Sequence, residues 1–230
     1  MKPEVLRFPA PREMILAAAE GVVGRATSAA KARGRFVLAL SGGSTPRPLH
    51  ETLAAAPFVS RMPWDKTVLF WGDERCVPPA DPASNYAMAR QTLLDRLPRP
   101  PLAIARMEAE RGAAPAAAAY EDVLRRLSPD GIDLALLGLG EDGHTASLFP
   151  GDPALDERER LAAPVSARGN PRVDRVTLTF PAFRAARAAF FLTRRPGKER
   201  ALDSILAGSS GLPAARVAPR ETLTWFISES

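Results

Sequence analysis

The chain has 230 residues, 46% hydrophobic and 25% charged, the profile of a globular protein, and it is read here as one domain over residues 1–230. The net charge is +5 and the pI is near 10, but 27 Arg and 4 Lys lie interleaved with acidic residues, which argues against a concentrated nucleic-acid surface. One cysteine, Cys76, excludes an internal disulfide and a Cys-based metal cluster, and no apolar run approaches the roughly 18 residues of a membrane span. The apolar stretch Met14–Ala19 is interrupted by Glu20 and has no basic region directly before it, so it does not read as a signal peptide, and the cytoplasm is the expected compartment.

Short apolar runs alternate with amphipathic or Ala-rich segments, the pattern of βαβ units and a mainly parallel sheet. Residues 12–33 predict a helix, and FVLAL at 36–40 predicts a buried strand that stops at Ser41-Gly42-Gly43. A helix starts near Pro46 and ends before Pro57. The next strand, 67–71, closes in Gly72-Asp73-Glu74-Arg75. After a Pro-rich loop comes a helix from about Asn85 to Leu97, then an Ala-rich helix over 115–127 and a strand over 132–137. The last third carries strands at 173–180, 188–193 and 223–227 with helices between them.

In open parallel sheets, ligands bind beyond the carboxyl ends of the strands. Three of these strand ends carry glycine and polar residues. In the first, Ser41-Gly42-Gly43-Ser44-Thr45-Pro46, glycines let a ligand approach backbone N–H groups, and Thr45 is placed to cap a helix beginning at Pro46. That helix start would offer donors and partial positive charge to an anion, with the Ser44 and Thr45 hydroxyls beside it. Taken alone, the motif is equally a capped turn without a ligand. It is not a Walker A loop, because no Gly-Lys-Ser/Thr follows.

The second, Asp73-Glu74-Arg75, sets a carboxylate and a guanidinium at a strand end, where they could bind hydroxyls and phosphate oxygens or form a local ion pair. Cys76 beside them reads as a small packing residue, with no second Cys or adjacent His to activate it.

The third runs from Leu137 to Gly151. Gly138, Gly140 and Gly143 match G-x-G-x-x-G in form, but Pro150, Gly151 and Pro153 leave no room for the long helix a dinucleotide site needs. Of two histidines, His50 reads as a plain helix-face residue. His144 sits between Asp142 and Thr145 on the glycine-rich turn. A free imidazole titrates near 6.5, which suits a general base at neutral pH, and a carboxylate can orient it. One His with Glu141 and Asp142 is too thin a set to hold a metal.

Together the segments LALSGGSTPRPLHETLA, VLFWGDERCVPPADPASNYAMARQTLLDRL, IDLALLGLGEDGHTASLFPG and the looser VDRVTLTFPAF…GKERAL resemble the 6-phosphogluconolactonase family, within the group that includes glucosamine-6-phosphate deaminase. The resemblance implies an α/β fold, a three-layer αβα sandwich with one mainly parallel sheet. It implies hydrolysis of 6-phosphogluconolactone in the oxidative pentose phosphate pathway, with no cofactor, no metal and no partner beyond the sugar-phosphate substrate. A monomer or small homo-oligomer, acting without nucleic acid or membrane, fits it.

By position, Gly42, Gly43, Ser44 and Thr45 would hold the phosphate, and Arg75 and Asn85 would line the sugar site shaped by Asp73. His144 would activate water with Asp142 as partner, and Arg175 and Lys198 correspond to basic residues near the phosphate end. Arg75 or a backbone N–H would be the oxyanion donor. Arg184 departs from the pattern, standing where the resemblance calls for Asn. In the deaminase the histidine turn continues roughly as Ile-Ala-Phe-Asn-Glu, whereas this chain continues Thr145-Ala146-Ser147-Leu148-Phe149, and a phenyl ring cannot transfer a proton. A sugar-phosphate sensor without turnover would keep the first loop and lose the base, yet both His144 and Asp142 are present.

Overall fold

The computed structural model describes residues 2–208 and 210–230. The chain opens with β1 (Glu4–Phe8) and a long helix α1 (Pro11–Arg33), in which Met14, Ile15, Ala18, Ala19, Val22, Val23 and Ala26 form one buried stripe. That spacing of three and four residues is what an amphipathic helix packed on a sheet requires. Gly34, at φ +75°, ends it. Next come β2 (Phe36–Leu40), α2 (Pro46–Leu53), a single turn α3 (Phe58–Arg61) and β3 (Thr67–Trp71). Then follow a short β4 (Asp73–Arg75), α4 (Asn85–Thr92), β5 (Ala103–Ile104), α5 (Ala113–Leu127) and β6 (Leu134–Gly138). The last part is β7 (Ala162–Arg168), β8 (Val173–Leu178), α6 (Phe180–Ala185), β9 (Ala188–Arg194), α7 (Glu199–Leu206) and β10 (Thr222–Ser228).

Seven strands form an all-parallel sheet in the order β1-β10-β9-β6-β2-β3-β5. The central strands are buried throughout, because both faces are covered. Successive side chains alternate between the two cores. Phe36, Leu38 and Leu40 pack with α1 to α4, while Val37 and Ala39 pack on the opposite side with Tyr120 of α5, Phe183 of α6 and Leu202 of α7. This is the three-layer arrangement that the family resemblance implies.

The structure differs from the single expected sheet by having a second one. Strands β4, β8 and β7 pair antiparallel in that order, so Asp73–Arg75 is a strand of this small sheet as well as the end of a loop. Its other new member, β7, contains Pro164 and small residues, and so lacks the β-branched run that marks a strand. The helix expected over 85–97 ends at Thr92 and gives way to a single 3-10 turn, Leu94–Arg96. No helix among the described residues is long and apolar enough to cross a membrane.

The site is placed by one topological feature. β2 and β6 are neighbours in the sheet, pairing Leu38 with Leu134 and Ala39 with Ala135. After β2 the chain leaves toward the face covered by α1 and α2, and after β6 toward the face covered by α5 and the small sheet. The two exits diverge, and a crevice remains at the carboxyl ends between them.

Candidate active site

The crevice is a cavity of about 1370 Å³, and its wall includes every residue singled out from the sequence: Gly42, Gly43, Ser44, Thr45, Asp73, Arg75, Asn85, Asp142, His144, Arg175 and Lys198. Residues from five separate stretches of chain therefore meet in one place.

The loop after β2 is held from below by Asn85. A Cβ on Gly42 would sit 1.8 Å from Asn85 Oδ1, so only glycine lets the backbone come this close. Asn85 Nδ2 donates to Asp73 O at 2.8 Å and to Asp73 Oδ1 at 3.1 Å. The other oxygen of Asp73 accepts from Ser147 Oγ at 2.6 Å. Asp73 is buried, and its two carboxylate oxygens tie Asn85, at the start of α4, to Ser147 in the segment after β6. Thr45 does not cap α2 as expected: its backbone is already helical, at φ −75° and ψ −42°, and its side chain makes no capping bond. A cap needs extended geometry to reach the first N–H groups, so those donors and the Thr45 hydroxyl stay available to a ligand.

Glu74 was given no role by the sequence, and it has one here. Its buried carboxylate accepts from the N–H groups of Arg75, Asn85 and Tyr86 and from Ser84 Oγ, all between 2.8 and 2.9 Å. Burial pushes its pKa up, and these four hydrogen bonds oppose that. A carboxylate at the start of α4 fixes the helix and hence Asn85. No local pattern could reveal this, because Glu74 and its partners at the start of α4 lie ten to twelve residues apart. Arg75 donates from Nη1 to Ala83 O, and its buried Nε has no hydrogen-bond partner among the described residues.

The turn after β6 folds tightly, with Gly140 N donating to His144 O at 2.8 Å and Gly143 N to Gly140 O at 3.0 Å. The imidazole lies directly over Gly140, where a Cβ would be 2.0 Å from Nδ1. Asp142 Oδ1 accepts from His144 N at 3.1 Å and meets His144 Nδ1 at 2.6 Å. A carboxylate partner places the ring proton on Nδ1 and leaves the lone pair on Nε2. Phe149 packs beside the ring, 4.5 Å between centroids. The histidine side chain is 32% exposed, so water reaches it.

Lys198 is half-buried and its pKa is lowered by burial, with Glu141 opposing. Arg175 is buried, and desolvation lowers its pKa while Asp73 opposes. The cavity wall also includes Arg168, the last residue of β7, and Asn170 and Arg172 from the turn between β7 and β8, which sequence reasoning missed along with β7 itself. Arg184 is exposed on α6, outside the cavity wall. Cys76 is half-buried against the second sheet, and burial beside Asp174 and Glu74 raises its thiol to about 11, which keeps it protonated. Among the described residues, no group of three His, Cys, Asp or Glu side chains is placed to hold a metal.

Residues 9–225 match the family model described as glucosamine-6-phosphate isomerases/6-phosphogluconolactonase. The chain belongs to this family. It is similar to the 6-phosphogluconolactonase of Nostoc sp. (38% identity, covering 99% of this chain and 96% of the relative) and to that of Homo sapiens (40%, covering 97% and 90%). The crystal structure of 6-phosphogluconolactonase from Thermotoga maritima superposes with a TM-score of 0.89 at 30% identity, covering 99% of this chain and all of the other. A monomeric glucosamine-6-phosphate deaminase also superposes, with a TM-score of 0.84, covering 98% and 97% of the two chains; its 16% identity speaks for the fold alone.

Proposed function

We propose that this member of the family hydrolyses 6-phospho-D-glucono-1,5-lactone to 6-phospho-D-gluconate, a step of the oxidative pentose phosphate pathway, with His144 as general base. The observation that carries the chemistry is the hydrogen bond from His144 Nδ1 to Asp142 at 2.6 Å, in a cavity that also contains the Gly42-Gly43 loop. A lactone is an activated ester, so no covalent nucleophile is required. The phosphate anchors at Gly42–Thr45 and Lys198, remote from the reacting carbonyl, and its binding energy orients that carbonyl.

Water attacks the carbonyl as Nε2 of His144 takes its proton, and Asp142 stabilises the imidazolium that forms. Arg75, a cation in the cavity wall, is the group we assign to stabilising the oxyanion. Collapse of the tetrahedral intermediate breaks the bond to the ring oxygen, which takes the proton back from His144. The products are a hydroxyl and a carboxylic acid, which ionises.

Phe149 supports this reading over the deaminase, because the group beside His144 is an aromatic ring and not a carboxylate. We place the reaction in the cytoplasm, with a monomer or small homo-oligomer acting on the substrate alone. The test compares two assays on the purified protein. Opening of freshly generated 6-phosphogluconolactone well above the spontaneous rate, with no ammonia released from glucosamine 6-phosphate, is the expected outcome. The reverse pattern rejects it in favour of the deaminase.

A further inference from the structure

We propose that Arg175 is a positioning residue, which fixes the turn between β7 and β8 over the site so that Arg172 can meet the substrate, and that it does not itself bind the phosphate. This rests on the lactone reading for its kinetic part only. Arg175 is 3% exposed, and a buried guanidinium needs partners. Its Nε donates to Arg168 O and its Nη2 to Pro171 O, both at 3.0 Å. Those two carbonyls stand at either end of the turn, so one rigid planar fork clamps both ends. The third nitrogen, Nη1, lies 4.0 Å from Asp73 Oδ2. The guanidinium carbon lies over the Phe149 ring, 5.6 Å from its centroid.

The turn is shaped to sit on this fork. Gly169 has φ +70°, and a Cβ there would come within 3.0 Å of both Arg175 Nη2 and the Phe149 ring. The turn carries Arg172, an exposed residue of the cavity wall with no ion-pair partner among the described residues. Arg168 differs, since its Nε reaches the buried Asp152 at 3.3 Å. The geometry therefore separates two roles that a sequence pattern merges: a buried arginine that holds the turn, and an exposed one that the turn presents.

The experiment combines kinetics on the lactone with hydrogen exchange of the amides at 169, 170 and 172, in wild type, Arg175→Lys, Arg172→Ala and the double variant. Lysine keeps the charge and loses the fork. Arg175→Lys should raise KM roughly tenfold, about what a lost charged hydrogen bond gives, with kcat changed far less. It should also speed exchange across the turn. Arg172→Ala should raise KM similarly, and the double variant should be no worse than Arg172→Ala alone, because the turn then has nothing left to present. Gly169→Ala, which leaves Arg175 intact, should reproduce both the KM and the exchange effects. Additive KM losses, or a turn whose exchange is unchanged in Arg175→Lys, overturn the proposal. Should the wild type open no lactone, the function above fails, and the exchange comparison still decides this inference.

Discussion

The two histidines of this chain occupy opposite environments. His144 lies on a glycine-rich turn, its side chain partly exposed and a carboxylate 2.6 Å from Nδ1. His50 lies on α2 with no exposed surface, packed toward α4, where Thr92 Oγ1 is 3.5 Å from Nδ1 and Nε2 has no hydrogen-bond partner among the described residues. Burial, with Arg47 adding to it, pushes the pKa of His50 down to about 4. The same side chain is thus a candidate base in one place and a neutral packing group in the other. The environment decides the chemistry, through access to water and a partner for the charged form.

The largest expected effect breaks the comparison at His144. His144→Asn should lower kcat on saturating lactone by roughly 10²–10⁴, the usual contribution of a general base, or about 3–5 kcal/mol of barrier. A folded variant with kcat close to wild type would remove His144 from the mechanism and leave the two histidines equivalent.

At His50 the expected effect is on stability and depends on pH. Histidine in the unfolded chain titrates near 6.5 and His50 in the folded protein near 4, so between these values the unfolded state binds more protons. Stability is therefore complete above 6.5 and is lost as pH falls toward 4, by roughly 3 kcal/mol from this group. Urea unfolding at pH 7 and pH 4 should show His50→Leu gaining about that much on wild type at the lower pH. Glu74 shifts in the opposite direction but is present in both proteins, so the difference isolates His50. Parallel curves for the two proteins would show that His50 protonates freely in the fold.

A smaller loss is expected at Gly43, which has φ +98° and open space where a Cβ would point. Gly43→Val would strain the backbone by roughly 1–3 kcal/mol and crowd the loop donors, raising KM for the phosphorylated lactone about tenfold or more. An unphosphorylated lactone should be affected much less. Equal losses on both would move phosphate binding away from this loop. The smallest effect belongs to metal removal: exhaustive EDTA treatment should leave the rate unchanged. Activity lost and restored by one divalent ion would make His144 a ligand and not a base.

Much of this was legible in the chain itself. FVLAL, TVLFW and the run before Gly138 are short apolar segments ending in glycine, and all three are strands with both faces buried. His144 and Asp142 are two residues apart, so their pairing is a local property of the turn. Other features were hidden. β7 carries a proline and small side chains, and it is held in place by β8 and not by its own propensity. His50 reads as a helix-face residue, and nothing nearby in sequence says that α4 covers that face.

The sequence by itself determined where the central strands β2, β3 and β6 lie, that glycine and polar residues follow them, and that one of the two histidines sits two residues from an aspartate on a glycine-rich turn. These are consequences of residue periodicity and of steric freedom at glycine, which act over a few residues. The tertiary structure alone decided that Ser147 reaches Asp73 across 74 positions, that Glu74 anchors α4, and that Arg175 lies under the turn as well as in the wall. Contacts of that kind depend on which strands become neighbours. That choice is made by the burial of two whole sheet faces at once, which no short segment encodes.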